Sequence, residues 1–380
     1  MRPMVRPALR RAWRDLRYVQ FGVASAHAVV VGPVDTTTGS VLELLDGTRG
    51  LPLLRKEARG LGVPDAWLDA LLNRLARAGL LEDTAADGRG ADALRWGAGA
   101  LDRLRADLGS LSVVHRGPGE PLRRLAARSG VRVQVRGAGR VGAAVAALLS
   151  AAGVGRVDVL DGGRVQPWDV APGGLPPESV GERRDAAARR LVARSAPGGR
   201  AARAGGPEPG LSLVVVAPRD GLAAYAPDPV AAGAWVGTGI PHLFAGVLEA
   251  TGVVGPLVLP GGSACARCLE LGRVDADPAW PRLMAQWRSG RRSGAAPACD
   301  AGLAASVAGL AAAHALAFLD GDVPASAGAR WEVSSPLLRW RASVVRPHGG
   351  CPCGAAEGEE DRVGRERASA ALDGQDTMAG

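Results

Sequence analysis

The stretch VRVQVRGAGRVGAAVAALLSAAGVGRVDVLD (131–161) decides the fold of this chain. It contains an apolar β run, a glycine turn, a helix rich in Ala and Leu, and a second β run. That order is typical of a βαβ unit, in which the two strands are parallel. The same alternation continues, and it predicts further helices and strands at 178–195, 211–217, 241–248, 252–259 and 300–319. The sequence therefore predicts an α/β domain.

The glycine turn of this stretch has the spacing that a nucleotide phosphate requires. Gly137 and Gly139 let the backbone turn tightly and approach a phosphate beside Ala138, and Gly142 lets the helix pack on the strand. Asp161 ends the second strand, 19 residues after Gly142, where a carboxylate accepts hydrogen bonds from ribose hydroxyls. The alternative is a glycine turn that only connects strand to helix. The spacing favours a nucleotide-binding site.

Four of the five cysteines form two close pairs. Cys265 and Cys268 form a CxxC, and Cys351 and Cys353 form a CxC. Two such pairs can supply the four thiolates of a tetrahedral Zn²⁺ site with no open position, so the predicted metal is structural. His348 is an alternative ligand because the second pair is tighter than usual. Two unrelated pairs of reduced thiols are the other reading.

Composition limits the class of protein. The 380 residues are enough for two or three domains, and the formal net charge is +8. Lys56 is the only lysine, so the excess of arginine indicates a GC-rich coding bias more than a nucleic-acid partner. Five cysteines are too few for a disulfide framework. We find no secretion signal and no membrane-spanning stretch, and we expect a cytoplasmic protein.

The N-terminal part predicts a small separate module. A β run at 28–33, a helix within 41–48, a helix at 64–79 and the strand-like LLED that follows are typical of a winged helix. We therefore predict the following organisation: a winged-helix-like or peptide-recognition module at 1–84, a linker with one helix at 85–125, the α/β domain at 126–355, and a disordered tail at 356–380.

The glycine turn and the cysteine pairs together resemble the ThiF/MoeB/ubiquitin-activating family. The resemblance runs from about Val131 to Cys353, through the motifs VRGAGRVG, VDVLDGGRV, VGERRDAA, GGSACARC and HGGCPCG. It implies a Rossmann-like domain, commonly homodimeric, that uses ATP and Mg²⁺ to adenylate the C-terminal carboxylate of a ubiquitin-like carrier protein or a ribosomal peptide. A dehydrogenase would explain the glycines but not the cysteine pairs.

Some residues depart from the family pattern. The resemblance places Arg184 at a phosphate-binding lysine, but the stretch from Asp169 to Gly173 lacks the family's arginine. The family's Mg²⁺-binding aspartate corresponds to Asp220 only if the loop shifts by one residue, and otherwise to Arg219. Arg184 and Asp220 are the predicted catalytic residues. The sequence slightly favours an adenylyltransferase over a catalytically impaired protein that binds a leader peptide and presents it to a separate enzyme.

Three further regions leave alternatives open. The N-terminal module resembles a RiPP recognition element, whose sheet edge would take a leader peptide as an extra strand. DNA binding competes, helped by Arg10, Arg11 and Arg14, but it is not favoured because the helix at 65–78 offers bases only three polar side chains: Asn73, Arg74 and Arg77. The segment 273–298 resembles the family's crossover loop over the substrate tail. Cys299 is a packing residue or an acceptor thiol.

Overall fold

The computed structural model describes residues 1–84, 99–198, 210–289 and 296–357. The chain divides into two compact units, Met1–Gly130 and Val131–Gly380. Each unit has its own hydrophobic core.

The first unit contains two small antiparallel sheets. β1 (Pro3–Val5) pairs with β5 (Leu81–Asp83), which follows the last helix of the predicted module. The other sheet has the order β2-β3-β4, formed by β2 (Arg11–Trp13), β3 (Val19–Phe21) and β4 (Val29–Val31). β2 and β4 are thus the edge strands of a three-stranded sheet.

The described part of the first unit also contains six helices. They are α1 (Thr36–Leu44), α2 (Leu51–Gly60), α3 (Asp65–Arg77), α4 (Ala100–Arg103), α5 (Arg105–Val114) and α6 (Glu120–Arg128). The Asp35 side chain caps α1 by accepting from the Thr38 N–H at 2.7 Å. In α3, four leucines at helical spacing are buried together with Val19 and Phe21: Leu68, Leu71, Leu72 and Leu75.

The predicted linker contains more helix than expected. Of residues 85–125, positions 85–98 lie outside the described part, and the rest holds α4, α5 and the start of α6. The two-unit division falls after Gly130, so these helices group with the first unit. Most of the tail predicted at 356–380 lies outside the described residues as well.

The second unit is built on a seven-stranded mixed sheet of order β12-β11-β10-β9-β8-β6-β7. Its strands are β6 (Arg132–Arg136), β7 (Arg156–Leu160), β8 (Leu211–Val216), β9 (His242–Leu248), β10 (Thr251–Val258), β11 (Ala329–Ser334) and β12 (Arg341–Val344). β7, β6, β8 and β9 are parallel, whereas β10, β11 and β12 are added antiparallel. The predicted α/β, Rossmann-like class is confirmed.

The helices of this unit are α7 (Arg140–Ala151), α8 (Arg184–Ser195), α9 (Leu222–Tyr225), α10 (Pro229–Gly237), α11 (Ala266–Ala276), α12 (Trp280–Ser289) and α13 (Ala301–Leu319). α7 and α13 bury their small apolar residues with the strands in one core. By length and composition alone α13 could cross a membrane, but its face from Leu303 to Ala315 belongs to that core. It is therefore a helix that packs on the sheet in the core of the second unit.

Three segments differ from the sequence prediction. The helix predicted within 41–48 spans Thr36–Leu44, because the Asp35 side chain caps it five residues earlier than expected. The helix predicted from 178 begins at Arg184, because Gly181 adopts φ +89° and a short 3-10 turn (Pro177–Ser179) precedes it. The segment expected to be a crossover loop at 273–298 holds the end of α11 and all of α12. There the Trp280 and Trp287 rings, two turns apart on the same face of α12, meet edge to face at 5.9 Å.

Candidate nucleotide cleft and cysteine cluster

The glycine turn lies where the sheet reverses its strand order. The chain passes from β6 through α7 to β7, which pairs with β6 on one side. β8 pairs with β6 on the other side, so the carboxyl ends of β6 and β8 form a crevice. Gly137 has φ +113°, and a Cβ there would lie 1.9 Å from the Ala217 carbonyl oxygen. A Cβ on Gly142 would lie 2.1 Å from the Gly137 carbonyl oxygen. Both glycines are therefore required by the close approach of backbones.

A cavity that is partly open to solvent occupies this crevice. It is lined by Gly139, Arg140, Val141, Trp168, Asp169, Ala217, Pro218, Arg219, Val247, Pro297 and Cys299. The first residues of α7 therefore face the cavity, where the helix dipole favours an anion.

Asp161 is largely buried beneath the glycine turn and already has two partners. Its carboxylate accepts from the Ala138 N–H at 2.7 Å and from Arg184 Nε at 2.9 Å. The side chain is only 10% exposed. The structure thus brings Asp161 next to the predicted turn, where it fixes the backbone.

Arg184, predicted to contact a phosphate, is held by the protein itself. Its guanidinium donates to Asp161 and Asp169 and to the carbonyl oxygens of Gly162 and Arg164 at 2.8 to 3.3 Å. With its side chain 13% exposed, Arg184 ties the loop after β7 together.

The sequence did not predict an ion pair that forms one wall of the cavity. Arg219 Nε donates to Asp169 Oδ1 at 2.5 Å, and the Asp169 side chain is 3% exposed. Asp169 also accepts from Arg184, so two arginines neutralise one buried carboxylate. A Cβ on Gly139 would lie 3.1 Å from Arg219 Cγ, so the glycine leaves room for this side chain. The signal available in the sequence was that Asp169 and Arg219 both lie at positions that depart from the family pattern.

Asp220, the other predicted catalytic residue, is placed differently. It accepts from the Leu222 N–H at 3.3 Å and is not among the described residues that line the cavity. The side chain that the loop after β8 presents to the cavity is Arg219. A guanidinium repels Mg²⁺ and cannot coordinate it, and the buried Asp169 carboxylate is taken by arginines. The residues present do not fit a magnesium site at this wall.

Cys299 also lines the cavity, and its carbonyl oxygen accepts from Arg140 Nη1 at 2.8 Å. Arg140 further donates to the Trp168 carbonyl oxygen at 2.7 Å. Burial raises the pKa of the Cys299 thiol to about 11. At neutral pH this thiol is protonated, which favours packing over a role as acceptor.

The four paired cysteines converge in a second apolar cluster of this unit, together with Trp235 and Phe244. All their Sγ atoms lie within 4.8 Å of one another. The Cys265–Cys268, Cys265–Cys351 and Cys268–Cys353 sulfur pairs are 3.9, 3.6 and 3.5 Å apart. Four sulfurs at 2.3 Å from a tetrahedral Zn²⁺ would be about 3.8 Å apart, so the cluster fits the metal. Zn²⁺ held there would be structural.

The thiols of this cluster influence each other. The hydrogen bond from Cys265 lowers the pKa of Cys268 to about 4, and burial raises the pKa of Cys351 to about 11. The ring nitrogens of His348 have other partners. Nδ1 accepts from the Gly350 N–H and Nε2 contacts Asp275, each at 2.9 Å. The donor set found is therefore the four sulfurs.

Several basic side chains of the first unit have partners within that unit. Arg11 forms an ion pair with Glu43, Arg14 donates to Gln20, and Arg74 donates to the Gly32 carbonyl oxygen. Of these three arginines, only Arg11 has its charge neutralised by its partner, and DNA binding stays an unfavoured prediction.

Comparison with known proteins places this geometry in context. A sequence model of the ThiF family matches residues 123–353. The crystal structure of Escherichia coli MccB with SeMet MccA covers 93% of this chain and 99% of its own, with a TM-score of 0.67 and 15% identity. The structure of MccB with ATP covers the same 93% of this chain, with a TM-score of 0.66 and 15% identity.

A second kind of structure is also similar. The heterocyclase TruD covers 93% of this chain but only 43% of its own, with a TM-score of 0.59 and 17% identity. No curated protein sequence matches this chain. At these identities the structural likeness establishes the fold.

Proposed function

Because this chain belongs to the ThiF family, we propose that it binds a precursor peptide and presents it to a separate modifying enzyme, without adenylating it. The observation that carries this proposal is the ion pair of Arg219 and Asp169 in the cleft. It places a cation where the family resemblance requires a carboxylate for Mg²⁺. Arg184, the expected phosphate ligand, is meanwhile saturated by carboxylates and carbonyls.

Two similar structures support a peptide as the partner. The MccB structure contains MccA, and N-formylated MccA occurs in another MccB complex. TruD contains an equivalent of nearly this whole chain within less than half of its own length, so a heterocyclase includes this architecture beside further protein. If the same parts were divided between two molecules, this chain would hold the peptide and a separate enzyme would act on it.

The edge of the three-stranded sheet is the proposed peptide site. β4 has no neighbour on its outer side among the described residues, and Val30 on it is 46% exposed. An extended peptide added to β4 would satisfy its free backbone groups and bury this valine. All three residues of the other edge strand, β2, are exposed, and its Arg11 is already paired with Glu43.

A second candidate function is adenylation of a carrier protein or peptide with ATP. The glycine turn is intact, and the amides at the start of α7 face the cavity. ATP in the MccB complex agrees with this candidate at the level of fold. Zn²⁺ at the cysteine cluster, a homodimer and a cytoplasmic location remain predictions under both functions.

One experiment separates the two functions. Purified protein is titrated into fluorescein-labelled candidate precursor peptides, and ATP–pyrophosphate exchange is measured with the same peptides. We expect a rise in anisotropy and no exchange above the protein-free background. Peptide-dependent exchange would establish the adenylyltransferase instead.

Variants test the peptide site. Val30→Asp puts a charge on the proposed edge, and Val23→Asp puts the same charge on a 78% exposed position outside the strands. We expect Val30→Asp to weaken peptide binding at least about tenfold and Val23→Asp to leave it unchanged, because one strand position buries apolar surface on pairing. Equal effects of both would argue against β4.

A further inference from the structure

One face of α3 combines exposed apolar and cationic side chains. Residues at spacings of three and four lie on one side of a helix, and on this side of α3 they are Trp67, Ala70, Arg74 and Arg77. Trp67 is 37% exposed, and Ala70 and Arg77 are exposed as well. The neighbouring face of the helix is buried with β3 in the core of the first unit. The exposed face therefore borders the three-stranded sheet.

Arg74 places its guanidinium at the free edge of β4. The Gly22 N–H donates to the carbonyl oxygen just before β2, so even-numbered residues of β3 direct their backbone groups to β2 and odd-numbered residues to β4. Odd-numbered residues of β4 pair with odd-numbered residues of β3, so the backbone groups of Val30 and Gly32 lie on the outer side. Arg74 donates to the Gly32 carbonyl oxygen and, at 3.4 Å, to that of Pro33.

The guanidiniums of this face are not neutralised by the carboxylates of the same helix. Asp65 and Asp69 of α3 each pair with an arginine of α2. The acceptors of Arg74 are carbonyl oxygens, and neither Arg74 nor Arg77 forms an ion pair with a described residue. Both positive charges are therefore available to a ligand.

The elements around this end of β4 are positive as a whole. Asp35, the first carboxylate after the strand, caps α1 and offsets one charge. The β2–β3 hairpin packs here, since the Val34 N–H donates to the Arg17 carbonyl oxygen at 2.8 Å. The hairpin contributes one carboxylate and two guanidiniums: Asp15, Arg14 and Arg17. Together with Arg74 and Arg77, these elements hold four cations and two carboxylates.

We propose that β4 and this face of α3 together bind an acidic peptide, extended as an additional strand, with its carboxylates at Arg74 and Arg77 and an apolar side chain beside Trp67. The inference rests on the proposed function and names the chemical class of the peptide. Backbone pairing supplies affinity that is independent of sequence, whereas charge-assisted bonds to the guanidiniums supply the choice. DNA is less well matched, because its phosphates would leave Trp67 without an apolar partner.

Anisotropy with three synthetic peptides tests the charge preference. The fluorescein-labelled peptides share length and leucine positions and carry Glu, Gln or Lys at the remaining positions, and each is titrated with the full chain. We expect the Glu peptide to bind at least about tenfold more tightly than the Gln peptide, and the Lys peptide not to bind. Added NaCl should reduce the advantage of the Glu peptide, because salt screens exposed charges.

Variants assign the preference to α3. Arg77→Gln removes a side chain that has no hydrogen bond or ion pair with a described residue, so its fold should be intact. We expect Arg74→Gln and Arg77→Gln each to lower the Glu-over-Gln preference at least about threefold while leaving the Gln peptide unaffected. Arg123→Gln on α6 is the matched control, because Arg123 is also an exposed arginine that donates to a carbonyl oxygen.

Equal affinity for the Glu and Gln peptides, or a preference that persists in both arginine variants, would overturn this inference. A labelled DNA duplex that bound through Arg74 and Arg77, with no binding of the Glu peptide, would assign the face to nucleic acid instead. If candidate precursor peptides bind without any charge preference, only this inference is lost. If neither the precursors nor the synthetic peptides bind, the proposed function is lost as well.

Discussion

His242 is a fully buried histidine with one unused ring nitrogen. Its ring lies 5.2 Å from that of Trp235 and 5.5 Å from that of Phe244, and its Nδ1 is hydrogen-bonded to the Ile240 carbonyl oxygen. Nε2 has no partner among the described residues. Burial lowers the pKa of His242, so this histidine is protonated less readily in the folded chain than in the unfolded chain.

This histidine predicts an acid-sensitive stability. Above the unfolded pKa of about 6.5 it has no effect, and below that value the free energy of unfolding decreases by up to about 1.4 kcal/mol per pH unit. Urea unfolding at pH 7.5, 6.5 and 5.5 should show a smaller decrease for His242→Leu than for the parent. The same decrease in both proteins would assign the acid sensitivity to other groups, such as the cysteine cluster.

Cys299 is predicted to be an unreactive thiol. With its pKa raised to about 11, its thiolate fraction at pH 7.5 is about two orders of magnitude below that of a free cysteine with a pKa of about 8.5. Alkylation by iodoacetamide, followed by mass spectrometry of the metal-loaded protein, should be slower by a similar factor. Cys299→Ser identifies the adduct, and labelling as fast as that of glutathione would instead indicate an activated nucleophile.

Individual residues differ in how far the sequence reveals them. Gly137, Gly142 and Asp161 were predicted from fixed spacings within one βαβ unit, and the structure brings them together. The pair of Asp169 and Arg219 was not predicted, because fifty residues separate its members and opposite charges follow no spacing rule. Only the folded sheet brings the loops after β7 and β8 to one edge.

At the scale of elements, the contact between the glycine turn and α7 can be tested by adding one methyl group. Gly142→Ala would place Cβ 2.1 Å from the Gly137 carbonyl oxygen, so strand and helix must separate. Gly162→Ala is the matched control, because a Cβ there meets nothing within 4 Å.

We expect Gly142→Ala to lower the free energy of unfolding by about 2 kcal/mol or more, and Gly162→Ala to change it by less than about 0.5 kcal/mol. Urea denaturation followed by circular dichroism measures both. If the two variants were equally stable, the close approach at Gly142 would not be needed for packing.

Long periodic elements were predictable, and of the three-residue strands β4 and β5 were predicted whereas β1 and β2 were not. The regular alternation of β6, α7, β7 and β8 follows the apolar pattern of the sequence, and each lies where it was expected. β1 and β2 have three residues each, β2 has no buried face, and β1 begins at Pro3. Three residues are too few to show a period, so pairing with distant strands decides them.

At the scale of the whole molecule, two separate cores predict two unfolding transitions. The core of the first unit contains Phe21 and Leu54, whereas the cysteine cluster packs with Trp235 and Phe244 in the second. Metal bound to the cluster would stabilise the second unit only, since binding contributes to the folding free energy of the part that contains the ligands.

Differential scanning calorimetry with and without a chelator tests this prediction. We expect one transition to move to lower temperature on chelation and in Cys268→Ser, while the other stays in place. Cys299→Ser, which removes the thiol outside the cluster, should retain the metal content of the parent protein. A chelator that shifted both transitions, or neither, would contradict the assignment.

The fold class was predictable at this scale because a βαβ pattern and a glycine turn leave few topologies. The balance between adenylation and peptide presentation was not, because it depends on which side chain of one loop enters the cleft. The structure places the side chain of Arg219 in the cleft rather than that of Asp220. Comparison with the family pattern had left both residues possible.

A positive charge that is part of the polypeptide behaves differently from one that must be recruited. The guanidinium of Arg219 cannot be diluted, stripped by citrate or exchanged for calcium or manganese, since it is joined covalently to the loop after β8. The electrostatic character of this cleft is therefore fixed at translation. It would be the same in a cell starved of magnesium as in one that is replete.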